Sequence, residues 1–380
     1  MMRKKKQKIG IVTWFGSYNI GTNLQAYALH EVLNNMGFDA ALLHLVVNPA
    51  KRKSLFHRLY LLLRRCFIPL RPAARYVLFE IPDKQRYRNT FRFLRNHVSV
   101  YDLDSFCKYD AYSDKFCCAI SGSDQIWNPY YVNDYHLLSF ASDKIAYSSS
   151  LGVSFIPEDK KAKYLQHLPS FKSIAVREDT GNRLLRELLQ RQDIQTVLDP
   201  VFLLPASRWE ALADSVQLPM PATEPYILCY LVGENDYYAA QVQRIRQQLG
   251  VNRVCVVTAR ANHANHIDGE YCEWAGPAEF LALKRNAAYV VTDSFHSTVL
   301  CLLMHKNFVA LTRFRQNDGK SQHSRMTDLL SKFHLTDKLY QESDTNWHHE
   351  IDFKKVDVVL EQERATSMDY LTKALSPYAE

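Results

Sequence analysis

No apolar run in this 380-residue chain approaches the roughly 20 residues that a membrane-spanning helix needs. Its eight cysteines, at positions 66, 107, 117, 118, 229, 255, 272 and 301, form no CxxC pair, and most sit in apolar runs. That pattern argues against a zinc ribbon or a dithiol redox motif; reduced, buried thiols and no metal site are the expectation. The GxSxG elbow of serine hydrolases, the P-loop and the HExxH zinc helix are all missing. Acidic residues are missing from one long stretch. Between Asp39 and Glu80 there are none, against eight cations: Lys51, Arg52, Lys53, Arg58, Arg64, Arg65, Arg71 and Arg75. The net charge of +7 is thus concentrated in one segment and the remainder is near neutral, which does not fit a generally basic nucleic-acid binder.

What is present describes a soluble globular protein: 47% apolar and 23% charged residues, with a length that suggests two domains. The basic start, Met1 to Lys6, passes directly into Lys8-Ile9-Gly10-Ile11-Val12-Thr13. This reads as a first strand rather than a secretion leader, so a cytoplasmic location is expected. The strand, about Lys8 to Trp14, leads through a polar turn with Gly16 and Gly21 to a helix over Leu24 to Met36, which Gly37 stops. The turn lacks the GxGxxG spacing of dinucleotide binders, but a helix starting beside it offers free N–H groups to an anion. Ala40 to Val47 reads as the next strand.

Residues 51–98 read as a mainly helical insertion. Two readings stand for it: an excursion with a solvated basic face, or a surface lying on an anionic membrane, chiefly through 51–75. Short strands follow at 116–120, 144–149, 173–176 and 196–198, each ending in small or polar residues. A proline-rich stretch then precedes a second βα series: strand 226–232, helix 237–249, strand 253–258, a helix opened by Pro277, strand 289–292, helix 297–304 and strand 308–312. The implied organisation is an N-terminal Rossmann-like domain over 1–212, a linker at 213–224, a second Rossmann-like domain over 225–350 and a helical segment over 351–380.

In open α/β folds, ligands sit where strands end and helices begin. The strand at 289–292 stops at Asp293-Ser294-Phe295-His296-Ser297-Thr298. His296, with the adjacent carboxylate of Asp293, is the candidate for proton transfer near neutral pH. Arg177 follows the buried-looking strand Ile174-Ala175-Val176 and, with Arg325, is a candidate anion clamp. Ser121 to Pro129 offers a tight turn, the polar groups of Asp124 and Gln125, and the flat face of Trp127 for a sugar ring. Asp199 reads as a turn cap.

Taken together, these motifs resemble the polysaccharide pyruvyl transferase family. The matching pieces are Ser17 to Leu29, Ser121-Gly122-Ser123-Asp124-Gln125-Ile126-Trp127-Asn128-Pro129, Ala175-Val176-Arg177-Glu178, Leu198 to Leu204, Thr292 to Thr298 and Ser324-Arg325-Met326, in order over about 8–330. The resemblance implies a GT-B-like α/β fold, two Rossmann-like domains facing a cleft. It implies ketal transfer of pyruvyl from phosphoenolpyruvate to a sugar of a cell-surface polysaccharide or lipid-linked glycan, with no resident cofactor and no nucleic acid. His296 and Asp293 would then be catalytic. Arg177, Arg325, Ser294 and Ser297 would bind the donor, and Asn19, Gly21, Asn23, Gln25, Asp124, Gln125 and Trp127 the acceptor. Some relatives carry an arginine two positions before the histidine; here that residue is Ser294. Two other readings are a GT-B glycosyltransferase using a nucleotide sugar, and a non-catalytic assembly protein docked at the membrane.

Overall fold

A computed structural model describes residues 7–46, 84–104, 115–219, 224–259, 265–313, 323–343 and 346–379. The basic stretch at 51–75 lies outside the described residues. The first half contains β1 (Lys8–Val12), α1 (Ile20–Asn35), β2 (Asp39–Val46), α2 (Lys84–His97), β3 (Val100–Asp104), β4 (Cys118–Ser121), β5 (Lys144–Ser149), α3 (Glu158–His167), β6 (Ser173–Val176), α4 (Asp179–Leu189), β7 (Gln195–Thr196) and α5 (Ala206–Asp214). The second contains β8 (Tyr226–Leu231), α6 (Tyr238–Leu249), β9 (Arg253–Thr258), β10 (Glu270–Tyr271), α7 (Pro277–Asn286), β11 (Tyr289–Thr292), α8 (Phe295–Leu303), β12 (Phe308–Ala310) and α9 (His323–Lys332). α10 (Phe353–Leu375) closes the chain as one unbroken helix.

Both sheets are parallel, with strand orders β3-β2-β1-β4-β5-β6-β7 and β10-β9-β8-β11-β12. Their strands are apolar on both faces because helices cover both, and runs such as Tyr226–Leu231 are buried throughout. Each order starts in the middle and reverses once, the Rossmann pattern. The reversal falls between β1 and β4 in one sheet and between β8 and β11 in the other. The protein is therefore α/β with two Rossmann-like halves in a GT-B-like arrangement, their strand carboxyl ends facing each other.

Two helices cross between the halves. α2 buries Arg86, Asn89, Thr90, Phe93 and Leu94, a helical stripe, so it is not simply a solvated excursion. The Arg86 guanidinium donates to the carbonyls of Thr258 and Cys272, and Asn89 Nδ2 donates to Trp274 O at 2.9 Å. α10 returns to the first sheet, where Tyr370 donates to Ala146 O (2.8 Å) and Ser367 Oγ accepts from Leu198 N (2.9 Å). One apolar core runs through both halves, joining Ile9, Leu24 and Leu42 to Leu228, Val290, Leu300 and Leu371.

Candidate active site

α1 begins at Ile20, four residues before the apolar periodicity, because Asn19 caps it: Oδ1 accepts from Thr22 N at 3.4 Å. This brings Gly21 into the first turn, directly against α8 of the other half. A Cβ at Gly21 would lie 2.6 Å from His296 Cβ and 2.7 Å from its Nδ1, so only glycine lets the imidazole seat there.

The other ring nitrogen faces a carboxylate. His296 Nε2 lies 3.3 Å from Asp199 Oδ2, and the same oxygen accepts from Ser123 Oγ and Arg177 Nη1, each at 2.9 Å. Asp199 Oδ1 accepts from Val201 N, so this residue caps its turn, as the sequence indicated, and is also the hub of the site. Arg177 spans the cluster. Its Nη2 reaches Asp124 Oδ1 at 3.3 Å, its Nη1 lies 3.4 Å from His296 Nε2, and its guanidinium stacks 4.3 Å over the Phe295 ring. Asp124 also accepts from Thr22 Oγ1 at 3.0 Å and faces Arg325 at 3.9 Å. It adopts φ 58°, ψ −169°, a region almost reserved for glycine, and such strain is typical of functional sites.

The charges are mutually adjusted. Burial raises the Asp199 carboxyl, but His296, Arg177 and the Val201 N–H outweigh it and hold the group well below its ordinary value. Asp124 is also lowered: burial opposes ionisation, and His296, Arg177 and Arg325 overcome it. Arg177 is opposed by burial yet raised by Asp124 and Asp199. Arg325 fares differently. Burial, then repulsion from Arg177, bring its guanidinium down to about 9, against the opposing pull of Asp124 and Glu178.

Other expected site residues hydrogen-bond to neighbouring backbone and side chains. Asp293 spends both oxygens on Val232 N and Gly233 N (2.7 Å each), Tyr238 Oη (2.9 Å) and Arg313 Nε (3.1 Å). Three of these donors reach Oδ2 and one reaches Oδ1, which makes the carboxylate a clamp on the β8 and β12 ends. Ser294 caps α8, accepting from Ser297 N, and Ser297 Oγ accepts from the buried Lys284 at 2.9 Å. Asn23 ties down its turn through Gly16 N, Ser17 O and Asn19 O. Gln25 bonds Thr13, Trp14 O, Thr22 O and Ser123 N. Gln125 Oε1 accepts from Asn128 Nδ2 and packs where a side chain at Gly152 would sit. Trp127 is fully buried, edge-on to Phe171 at 5.5 Å, and presents no face to a sugar. Two residues escaped sequence reasoning. Arg313 holds Asp293, and Ser123 holds Asp199. Arg313 carried a usable signal, since it follows a buried strand just as Arg177 does.

Among the described residues, no group of three or more His, Cys, Asp and Glu is placed to hold a metal ion, and no helix is long and apolar enough to cross a membrane. The six cysteines described are unpaired, and all but Cys117 are buried.

The sequence model described as Polysaccharide pyruvyl transferase matches residues 19–313. The chain belongs to this family. As a polysaccharide pyruvyl transferase family member it falls among enzymes, and Asp124, Arg177, Asp199 and His296 all lie in the matched span, whereas Arg325 lies beyond it. No curated protein matches the sequence. Among solved structures it is similar to the wall teichoic acid polymerase TagF (10% identity, 99% of this chain, 90% of that chain, TM-score 0.49). It is also similar to an alpha-glucosyltransferase in complex with UDP and a 13-mer DNA (8%, 98%, 100%, 0.49), and to a glycosyltransferase from Rickettsia africae (12%, 98%, 98%, 0.44).

Proposed function

We propose that this family member transfers a pyruvyl group from phosphoenolpyruvate to two hydroxyls of one sugar in a cell-surface polysaccharide or lipid-linked glycan, forming a cyclic ketal and releasing phosphate. The observation that carries this reading is the buried cluster in which His296 joins Asp199 and Arg177, with Arg325 close by. His296 Nε2 faces the Asp199 carboxylate, while Nδ1 packs beside Gly21. The reaction protonates the enolpyruvate methylene carbon and removes protons from two hydroxyls. The imidazole of His296 suits either transfer, with Asp199 stabilising the imidazolium. Arg177 and Arg325 suit the donor's phosphate and carboxylate, which guanidinium groups bind through charge-assisted hydrogen bonds.

The test measures phosphate released from phosphoenolpyruvate with a lipid-linked glycan acceptor, beside mass spectrometry of the surface glycan. Loss of one pyruvyl ketal per modified repeat in cells carrying His296→Ala supports the proposal. An unchanged glycan mass, or release of a nucleotide from a sugar donor in place of phosphate, refutes it.

A further inference from the structure

Five of the six exposed Phe, Tyr and Trp side chains among the described residues lie on loops at the carboxyl end of the first sheet. Trp14 and Tyr18 follow β1, Tyr130 and Tyr131 follow β4, and Phe155 follows β5, three neighbouring strands in that sheet. All five loop positions are at the carboxyl ends, where the site is. Their exposures run from 36% to 59%. We propose that this aromatic rim is the subsite for the acceptor's glycan chain, an uncharged run of sugars stacked on Trp14, Tyr131 and Phe155 with its terminal sugar delivered to His296. The inference rests on the transfer to a glycan proposed above and places the acceptor on a surface in place of the buried Trp127.

Three further observations fit a neutral carbohydrate. Residues 13–23, 125–133 and 149–157 contain no charged side chain, so these loops themselves carry none of the cations that bind an anionic membrane or a nucleic acid. Hydroxyl and amide groups accompany the rings, with Ser17, Asn133 and Ser154 exposed beside them, the mix that sugar hydroxyls need. The rim is also continuous with the site: Tyr18 directly precedes the cap Asn19, and Asp124 opens the loop that carries Tyr130 and Tyr131.

The loops are held before any ligand arrives. Trp14 O accepts from Gln25 Nε2 at 3.0 Å, and the Trp14 ring stands edge-on to buried His136 with centroids 4.5 Å apart. Asn128 accepts from Tyr130 N through its side chain and from Tyr131 N through its carbonyl, each at 3.0 Å. Trp127 N donates to Ser150 O, joining the second loop to the third. Preformed loops reduce the ordering cost of binding.

The probe is a ladder of neutral mono- to tetrasaccharides, prepared by mild acid from the surface polysaccharide and titrated into the full chain by isothermal calorimetry. Wild type should bind the tetrasaccharide more tightly than the monosaccharide. Trp14→Ala with Tyr131→Ala should weaken the tetrasaccharide about tenfold, as loss of aromatic anchors does, and leave the monosaccharide unchanged. Phe155→Ala, tested alone, guards against misfolding of the double variant and should act in the same direction. Equal tetrasaccharide affinity in folded variants overturns the rim, as does weakened binding to a protein partner or to phosphatidylglycerol vesicles with the glycan unaffected. Phosphoenolpyruvate binding is measured in parallel. If it persists while the rim variants bind glycan normally, the rim fails and the transferase reading stands. If it is absent while the rim binds glycan, the transferase reading fails alone.

Discussion

Gly21→Ala puts opposing effects at one position of the interface. The residue lies in the first turn of α1, where alanine is the better helix former by about 1 kcal/mol. The added methyl would stand 2.6 Å from His296 Cβ, 2.7 Å from Nδ1 and 2.8 Å from Cγ, against an ordinary contact of 3.4 Å or more. Because the nearest atom is a Cβ and not the tip of a flexible chain, turning the ring does not relieve the clash. The start of α8 has to move by close to an ångström, at an overpacking cost of about 1–3 kcal/mol. The net expectation is a loss of roughly 0–2 kcal/mol in urea unfolding. The same shift draws His296 away from Asp199, and a misplacement of that size lowers the rate of phosphate release by about 100-fold. A second substitution locates the cause. His296→Ala keeps the Cβ and should recover little stability in the Gly21→Ala background, whereas His296→Gly removes the obstacle and should recover most of the overpacking cost. A Gly21→Ala protein that is more stable than wild type by the full helix-propensity gain and as active would refute the contact between α1 and α8.

Arg325→Gln should abolish the stabilisation by phosphoenolpyruvate, about 2.7 kcal/mol at one hundred times the dissociation constant, in thermal unfolding. Burial lowers His136 from 6.5 to about 4, so between those values the unfolded chain binds the extra proton. Its contribution is complete above about pH 6.5 and falls by about 3 kcal/mol as the pH drops to 4; His136→Phe should flatten that limb of the stability–pH curve. Trp127→Ala should cost about 3–5 kcal/mol in urea unfolding, as for any large buried aromatic, with no selective loss of acceptor affinity.

Local pattern carried much of the fold. Alternation of apolar strands and amphipathic helices marked both βα series, and Pro277 marked the first residue of α7. The site was legible only in part, for a physical reason. Serine, asparagine and aspartate serve ligands and orphan backbone groups equally well, so the motif residues Asn23, Gln25 and Ser294 looked like binding groups while bonding their own turns and caps. Deciding between the two uses needs partners distant in sequence. Asp199 was readable as a cap from its neighbour Val201, but its links to Ser123, Arg177 and His296 span 76, 22 and 97 positions. Arg313 and Asp293 meet only because β11 and β12 pair in parallel.

Ser294 stands where some relatives carry an arginine, yet His296 does not lack a cation. Arg177 reaches it from the end of β6 in the first half, stacked on Phe295 and bonded to Asp199 of the same half. The cation and its balancing carboxylate are therefore delivered to the imidazole together, across the interface. Separating the halves at this edge would strip His296 of both partners while leaving Arg177 and Asp199 paired with each other, so the imidazole has both only in the closed arrangement. The cavity bordered by Arg177, Asp199, Phe295 and Arg325 has about 20 Å³ of room, enough for a water and too little for phosphoenolpyruvate. On the transfer proposed above, phosphoenolpyruvate would fit this cavity only with the edge parted, while the shared apolar core and α2 keep the halves joined behind it. On that proposal, the donor's anionic groups on Arg177 and Arg325 would drive reclosure around the substrate.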